Sequence, residues 1–146
     1  MSGKLVYISG SITHSPDWEA TRRKFDLTEQ VIREQGGNPF QPYKANAHLN
    51  KDSEGGRSQI FASDIEAVHN STVVVAYMDE PSFGAGYEVC YAIGRGIPVI
   101  GIFSLHKKTP FMEAALESSK NSVVICYETT PQIWPHLRNS LRFLLE

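Results

Sequence analysis

Apolar and polar positions along the chain form two alternating kinds of segment. Short continuous apolar runs, rich in valine and isoleucine, lie at 5–9, 72–78, 97–103 and 123–127. Runs of this kind are typical of parallel strands that are covered on both faces. Asn38-Pro39-Phe40 is a fifth candidate, at an edge of the sheet, because proline lacks the N–H that a central strand must donate. The pattern therefore predicts five strands.

Segments with helical spacing separate the predicted strands. Ser15, followed by Pro16, is a suitable N-cap for the first helix, and Gly36-Gly37 ends that helix after Gln35. Further helices are predicted at 57–70, 84–95, 110–118 and 130–145. Residues 41–57 contain no clear element, and a polar loop of this length in a compact domain is usually functional or disordered.

Strands that alternate with helices predict an α/β fold, in which helices cover both faces of a parallel sheet. The length of 146 residues fits a single domain, residues 1–146, with a flavodoxin-like doubly wound sheet of strand order 2-1-3-4-5. Ligands bind such sheets where the strand order reverses, beyond the carboxyl ends of strands 1 and 3. Those ends are Gly10-Ser11-Ile12 and residues 79–86, so we expect the functional residues there.

Charge and hydropathy exclude several classes of partner. The net charge of -2 argues against a large basic surface for nucleic acid polymers or anionic membranes. No apolar run approaches the roughly 20 residues that span a bilayer, and the N-terminal segment lacks the plan of a signal peptide. We therefore expect a cytoplasmic protein that binds a small molecule, with nuclear import left open.

The cysteines and histidines give no sign of a metal or cofactor site. The five histidines are scattered, and the two cysteines form neither a CxxC motif nor a cluster with histidine. Cys90 and Cys126 lie inside apolar runs, so we expect two reduced cysteines in the core. We expect neither a metal nor a cofactor.

Asp64 occupies an unusual position in its predicted helix. The apolar residues of that helix are Ile60, Phe61, Ile65 and Val68, and their spacing places Asp64 on the same inward face. Burying an ionised carboxylate without partners costs free energy. Asp64 is therefore either a structural acid, which caps a loop or pairs with an arginine, or a functional acid with a shifted pKa.

Glu88 is the second candidate acid. It follows Gly84-Ala85-Gly86 and falls in the expected first turn of a helix. Backbone N–H groups and the helix dipole favour the charged form of a carboxyl group there. This placement suits a nucleophile, which must be ionised, but it also suits an ordinary glutamate that compensates the dipole.

Asp64 and Glu88 belong to different elements that face one crevice. A pair of carboxylates commonly serves glycosyl transfer, with one acid as nucleophile and the other as proton donor in a retaining double displacement. Tyr7 lies near the end of the first strand at the same crevice, where its hydroxyl either orients Glu88 or belongs to a core aromatic. The sequence thus predicts a site built around these three residues.

A glycine-rich stretch, Pro81-Ser82-Phe83-Gly84-Ala85-Gly86, opens the helix that carries Glu88. Such turns present N–H groups to an anion, and the Ser82 hydroxyl adds another donor. Gly10-Ser11 after the first strand offers a second set. Neither segment matches a Walker A motif, and no GxGxxG follows the first strand, so a single phosphate fits better than a dinucleotide.

These motifs resemble those of the nucleoside 2-deoxyribosyltransferase superfamily. The resemblance rests on YISGSI at 7–12, on Asp64 in a helix and on PSFGAGYE at 81–88, the most specific of the three. It extends from the first strand to the fifth, and its nearest branch is that of the 2'-deoxynucleoside 5'-phosphate N-hydrolases.

The resemblance implies a role for each candidate residue. Glu88 would attack C1' of deoxyribose and form a glycosyl-enzyme, Asp64 would assist departure of the base, and Tyr7 would position Glu88. The residues implied in substrate and phosphate binding are Gly10, Ser11, Ile12, Ser82, Gly84 and Gly86. The resemblance also implies a homodimer or larger homo-oligomer with sites near the subunit interfaces.

Two positions depart from the hydrolase branch. That branch tends to carry an arginine directly after GSI, where this chain has Thr13, and a phosphate-binding serine in the region that here reads Pro110-Phe111-Met112. If no other residue takes over, an unphosphorylated nucleoside becomes the better substrate. The basic residues that could substitute are Arg22, Arg23, Lys44 and Arg57.

Three other functions stay open at this stage. The same residues would serve a deoxyribosyltransferase, in which a second base captures the glycosyl-enzyme in place of water. A non-catalytic nucleotide sensor would keep the crevice without turnover, and a flavodoxin proper, which binds FMN, has the same predicted fold. The loop at 41–57 is expected to cover the base. The sequence leaves open which base is preferred and whether the sugar of the substrate is ribose or deoxyribose.

Overall fold

A parallel sheet of five strands forms the centre of the protein in a computed structural model that describes residues 3–12, 15–107 and 109–146. The strands are β1 (Lys4–Ser9), β2 (Gly37–Phe40), β3 (Val73–Tyr77), β4 (Val99–Ser104) and β5 (Val123–Tyr127). Their order is β2-β1-β3-β4-β5, with every neighbouring pair parallel. The predicted flavodoxin-like doubly wound sheet is therefore confirmed, and its strand order reverses between β1 and β3.

Helices cover both faces of this sheet. They are α1 (Trp18–Glu34), α2 (Pro42–Ala45), α3 (Glu54–His69), α4 (Phe83–Gly94), α5 (Pro110–Glu117) and α6 (Ile133–Leu144). One apolar cluster joins the sheet to α1 and α6, and a second joins it to α3, α4 and α5. Among the described residues, no helix is both long and apolar enough to cross a bilayer.

Side-chain alternation along β1 decides which residues face the functional side. Val6 and Ile8 belong to the cluster beneath α1 and α6, whereas Tyr7 belongs to the cluster beneath α3 and α4. Because successive side chains of a strand point to opposite faces, Ser9 lies on the same face as Tyr7. β1 therefore presents two hydroxyl groups toward α4.

Several predicted boundaries and positions were wrong. Helix α1 begins at Trp18 with Asp17 as its cap, since the Asp17 carboxylate accepts a hydrogen bond from the Ala20 N–H at 3.1 Å. The Ser15 hydroxyl, predicted as the cap, instead contacts the Thr21 hydroxyl at 2.5 Å.

The two cysteines are exposed and do not belong to the core. Cys126 alternates along the edge strand β5 with the buried Ile125 and Tyr127, so it faces the opposite side of the sheet. Cys90 lies in α4 next to the buried Val89, on a face of the helix that the sheet does not cover. Both residues lie in apolar stretches of sequence, but only their neighbours turn inward.

The segment between β2 and α3 is more ordered than its polar sequence predicts. It contains the short helix α2, and α3 begins at Glu54, before the predicted start at Arg57. Ser53 caps α3, and its hydroxyl accepts a hydrogen bond from the Gly56 N–H at 2.9 Å. A Cβ atom at Gly56 would lie 1.8 Å from the Asn50 carbonyl oxygen, so only glycine permits this contact.

We expect alanine at the two adjacent glycines of α3 to have opposite effects. Gly56→Ala should lower the free energy of unfolding by about 1–3 kcal/mol, because its methyl group overlaps backbone that cannot move cheaply. In Gly55→Ala the added methyl group meets nothing within 4 Å. This substitution should raise the free energy of unfolding by about 0.4–1 kcal/mol, since alanine restricts the unfolded chain. Urea unfolding followed by circular dichroism measures both. Equal effects of the two substitutions would contradict the close contact at Gly56.

Candidate active site

Glu88 lies in the second turn of α4 and faces the end of β1. The helix begins at Phe83, because the Ser82 hydroxyl accepts a hydrogen bond from the Ala85 N–H at 3.2 Å and caps the helix. The sequence placed Glu88 in the first turn, and this earlier start of α4 corrects that prediction. The helix starts one residue earlier than predicted, and the Glu88 carboxylate faces two hydroxyl groups of β1.

Two hydroxyl groups of β1 hold the Glu88 carboxylate. The Tyr7 hydroxyl donates to Oε2 at 2.6 Å, and the Ser9 hydroxyl donates to Oε1 at 2.7 Å. Tyr7 and Ser9 are themselves buried. Both carboxylate oxygens are thus fixed by short hydrogen bonds, and the rotation of the group is restricted.

The Ser9 contact was missed by the sequence analysis, although a signal for it was present. Residues two apart in a strand share a face, so a serine two positions after Tyr7 is directed at the same helix. The bond between Tyr7 and Glu88 was one of two alternatives for Tyr7, and the structure places these side chains together.

Burial is the largest influence on the pKa of Glu88. Removal from water raises its pKa to about 6, and the nearby charge of Asp64 acts in the same direction. The hydrogen bonds from Tyr7 and Ser9 oppose the shift because they stabilise the charged form. The prediction that the helix end would favour the charged form is therefore outweighed, yet the group is still mostly ionised at pH 7.

Tyr7 remains a neutral donor in this arrangement. Its burial, together with the charges of Glu88 and Asp64, raises the pKa of the phenol well above its usual range. The Tyr7 ring also stacks on Phe40, with ring centroids 5.5 Å apart. The phenol is thus held behind Glu88 by its packing on Phe40.

Asp64 approaches the same crevice from α3. The Asn46 side-chain amide, just after α2, donates to Asp64 Oδ1 at 2.8 Å. Burial raises the pKa of Asp64, and the hydrogen bond from Asn46 opposes that shift. The partner of Asp64 is thus an asparagine from the segment that the sequence left without structure, and no arginine pairs with it among the described residues.

The apolar stripe predicted for α3 is only partly inward. Val68 is buried, but Phe61 is 55% exposed. The Phe61 ring lies beside that of Tyr87 in α4, with centroids 5.7 Å apart. Both rings line the crevice, whereas the residues of α3 that belong to the apolar core, Ala67 and Val68, lie near the C-terminal end of the helix.

A cavity of about 1160 Å³ opens at the reversal point between β1 and β3. Asp64 and Glu88 both line it. So do all the residues that the sequence implied in phosphate binding, namely Gly10, Ser11, Ile12, Ser82, Gly84 and Gly86. Tyr7 does not line it and instead supports Glu88 from behind. Within the described ranges, no group of three or more His, Cys, Asp or Glu could hold a metal ion.

Ser11 is a polar group without an internal partner. It is 7% exposed, and its hydroxyl oxygen forms no hydrogen bond with any described residue. A buried hydroxyl without a partner costs free energy, so such groups usually bind a ligand or water. Because Ser11 lies in the wall of the cavity, its hydroxyl is available for a hydrogen bond to a bound molecule.

The four basic residues considered as phosphate ligands differ in their positions. Arg22 and Lys44 form ion pairs with acids of α1. Arg23 does not line the cavity, whereas Arg57 lines a connected pocket of about 300 Å³ that also contains Asp64 and Glu88. Thr13, where the resembled branch tends to carry arginine, lies outside the described residues.

The turn that leads into α4 is anchored by Asp79. Its Oδ1 accepts a hydrogen bond from the Ser104 N–H at 2.6 Å. Its Oδ2 accepts hydrogen bonds from the Tyr127 hydroxyl and from the Lys24 ammonium, the latter at 3.3 Å. Because β4, β5 and α1 all contribute partners, the glycine-rich turn starts from a fixed point.

Known proteins resemble the chain in sequence. A protein of Syntrophotalea carbinolica, provisionally named 2'-deoxynucleoside 5'-phosphate N-hydrolase 1, is 30% identical over 86 residues. That stretch covers 59% of this chain and 60% of the relative, so the chain spans less than two thirds of the relative's length. The 5-hydroxymethyl-dUMP N-hydrolase of Rattus norvegicus is 34% identical over 55 residues, which are 38% of this chain and 34% of that protein.

The fold and the family pattern agree with these relatives. The CMP N-glycosidase of Clostridium botulinum superposes with a TM-score of 0.69 at 15% identity, over 92% of this chain and 98% of that one. The pattern of the nucleoside 2-deoxyribosyltransferase family matches residues 6–131, a range that contains Tyr7, Asp64 and Glu88. As its motifs predicted, the chain belongs to the nucleoside 2-deoxyribosyltransferase family.

Proposed function

We propose that this protein hydrolyses the N-glycosidic bond of 2'-deoxynucleoside 5'-monophosphates, with Glu88 as the nucleophile. The observation that carries the proposal is the Glu88 carboxylate, which is buried at the cavity wall and held by Tyr7 and Ser9 with Asp64 in the same crevice. The names of the relatives support the reaction class. No metal or cofactor is needed for the proposed steps.

In the first step, Glu88 attacks C1' of the deoxyribose. A bond forms between a carboxylate oxygen and C1', and the bond between C1' and the base nitrogen breaks, with its electron pair leaving on the base. A pKa of about 6 leaves Glu88 mostly ionised at neutral pH while keeping it basic enough to be an effective nucleophile. Tyr7 and Ser9 keep the carboxylate in the attacking orientation.

Asp64 handles the proton in both steps. Burial raises its pKa, which favours the protonated form that can protonate the departing base. In the second step, Asp64 as carboxylate takes a proton from water as the water oxygen bonds to C1'. In the same step the ester bond between C1' and Glu88 breaks, its electron pair returns to the carboxylate, and deoxyribose 5-phosphate is released.

The 5'-phosphate binds at the start of α4. Backbone N–H groups of the first turn favour an anion, and Gly84 and Gly86 leave the approach to them open, since an added Cβ at either position meets nothing closer than 3.8 Å. Ser82 and the unpartnered Ser11 hydroxyl contribute further donors from the two loops of the reversal point. Gly10 and Ile12 complete the wall on the side of β1.

Transfer to a second base is the alternative outcome for the same glycosyl-enzyme. It is favoured by the family match, whose name describes deoxyribosyl transfer. Incubation with a deoxynucleotide and a different free base separates the reactions. A new nucleotide indicates transfer, whereas free base with deoxyribose 5-phosphate indicates hydrolysis.

We expect Glu88→Gln to abolish base release. The amide is not nucleophilic, so kcat/KM for deoxynucleoside monophosphates should fall by at least roughly a thousandfold, as measured by chromatography of the free base. With the wild type, a slow substrate with a fluorine at C2' should leave a sugar phosphate adduct on Glu88, detectable by mass spectrometry of peptides. Glu117→Gln, an exposed glutamate of α5, is the control and should retain activity.

Two results would count against this proposal. In the first, folded wild-type protein releases no base from any of the four common 2'-deoxynucleoside 5'-monophosphates. In the second, the sugar adduct is found on a residue other than Glu88. The hydrolysis would then stand, but another residue would be its nucleophile.

We expect Ser9→Ala to shift the pH dependence of the reaction. Loss of one hydrogen bond that stabilises the carboxylate should raise the pKa of Glu88 above its present value of about 6. Since the ionised form reacts, activity is lost as the pH falls through this pKa, and the acidic limb of kcat/KM should move to higher pH. The variant should approach the wild type only at alkaline pH.

The matched control is Ser71→Ala, another buried serine, whose hydroxyl donates to the Ala67 carbonyl oxygen at 2.6 Å. It should leave the acidic limb in place. A Ser9→Ala profile that is lower by the same factor at every pH would show that Ser9 does not act on the titration of Glu88.

We also propose that the protein forms a homodimer through the face around the cavity. Phe83 is 101% exposed, and Phe111 is also exposed at the wall of the same cavity. An apolar surface of this kind on a helical layer typically meets another protein surface, here a second copy.

Sedimentation should therefore give a dimer for the wild type and a monomer for Phe83→Ser. Phe143→Ser, an exposed phenylalanine on α6 at the other face, should remain dimeric. A wild type that stays monomeric at the highest concentration studied would overturn the proposed assembly.

A further inference from the structure

Two basic residues, Lys51 and Arg57, line the same pocket as the two acids. The pocket has a volume of about 300 Å³ and connects with the larger cavity, since Asp64, Glu88 and Gly84 line both. Neither basic residue forms an ion pair with any described acid. The crevice therefore holds two positive charges that the fold itself does not neutralise.

Both side chains are exposed, and a tight loop shapes the backbone around Lys51 and binds the guanidinium of Arg57. The Asp52 N–H donates to the Asn50 side chain at 2.9 Å, and the Ser53 hydroxyl donates to the Asn50 carbonyl oxygen at 3.1 Å. One guanidinium nitrogen of Arg57 donates to the Asp52 carbonyl oxygen at 2.9 Å. Guanidinium carries five N–H donors, so several remain for a ligand.

The basic residues are not counter-ions of the catalytic candidates. Burial raises the pKa of Asp64, and the Asn46 hydrogen bond is the interaction that opposes it. The groups that lower the pKa of Glu88 are the hydroxyls of Tyr7 and Ser9. Arg57 lies two helical turns before Asp64 on α3, about 10 Å along the helix axis, so its charge belongs to the outer part of the pocket.

The walls of this outer part suit a flat heterocycle. Phe61 and Tyr87 each present a half-exposed ring there, with centroids 5.7 Å apart and an angle of 60° between the planes. Aromatic and aliphatic walls contact the faces of a base, and polar groups are left to meet its edge. The groups available for the edge at this end are the ammonium of Lys51 and the guanidinium of Arg57.

We propose that Lys51 and Arg57 stabilise the negative charge on a base that departs as an anion, so that oxo-pyrimidine nucleotides are preferred over adenine nucleotides. This inference rests on the proposed hydrolysis. When the bond between C1' and N1 of a uracil breaks, its electron pair spreads over N1 and the two carbonyl oxygens of the base, and both cations can bind those oxygens. The anion then takes its proton from Asp64.

Adenine departs differently. It leaves most easily after protonation of a ring nitrogen, so its transition state carries positive charge that nearby cations oppose. An oxo-pyrimidine and adenine thus respond in opposite directions to the same two residues. This opposite response separates stabilisation of the leaving group from simple support of binding.

The test compares kcat/KM for a series of deoxyuridine 5'-monophosphates that carry 5-fluoro, hydrogen or 5-methyl substituents, with dAMP beside them. The fluorinated base is the most stable anion and needs the least help. In the double variant Lys51→Gln and Arg57→Gln, we expect a loss of roughly tenfold for the 5-methyl substrate and about twofold for the 5-fluoro substrate. Activity on dAMP should be unchanged or higher.

Two further variants keep the result interpretable. Lys51→Gln alone leaves the loop contacts in place. Its loss of kcat/KM should be smaller than that of the double variant but should rank the three uracil substrates in the same way. Lys120→Gln, an exposed lysine outside the crevice, should match the wild type on every substrate. Thermal unfolding of each variant checks that the fold is retained.

An equal loss for all three uracil substrates, a loss as large on dAMP, or no loss at all would overturn the inference while leaving the proposed hydrolysis intact. A wild type that releases no base from any substrate would instead overturn the hydrolysis, and the inference with it.

Discussion

The paired hydrogen bonds from Tyr7 and Ser9 to Glu88 are the interaction on which the site depends. A carboxylate removed from water is unstable unless donors replace the lost hydration, and here both donors come from one strand. Their common face is a consequence of the twofold period of β1, while α4 crosses that face because the parallel sheet needs a helical cover. The same contacts that make the buried charge tolerable also orient it, so structural and chemical demands coincide at one residue.

Two sets of hydrogen bonds position the segments around this pair. Asp79 lies at the end of β3 and ties the turn before α4 to β4, β5 and α1. Asn46 ties the segment after β2 to Asp64 on α3. Each of these hydrogen bonds joins an element that the core holds in place to a loop segment that the core does not hold. The cavity walls are therefore positioned by hydrogen bonds at the carboxyl edge, where the apolar core ends.

The strand order and both helical layers could be predicted because they depend on continuous apolar runs, which the sequence displays directly. The start of α4 could not, since it depends on whether Ser82 caps the helix, and the residues after it allow either start. Phe61 was misassigned because periodicity shows which side chains share a face but not which part of that face the core covers. Asn46 was missed because the segment around it has no period at all, and its partner is 18 positions away in sequence.

The close contact between Gly56 and the Asn50 carbonyl oxygen has a consequence for how this protein can change. Since the loop before α3 lies directly on the first helical turn, the rim of the pocket and the helix that carries Asp64 form one unit. Inserting or deleting residues there would displace the acid along with the rim. New preferences for a ligand can therefore arise readily through exchange of side chains at 51, 57 or 61, whereas remodelling of the backbone would disturb the chemistry at the same time.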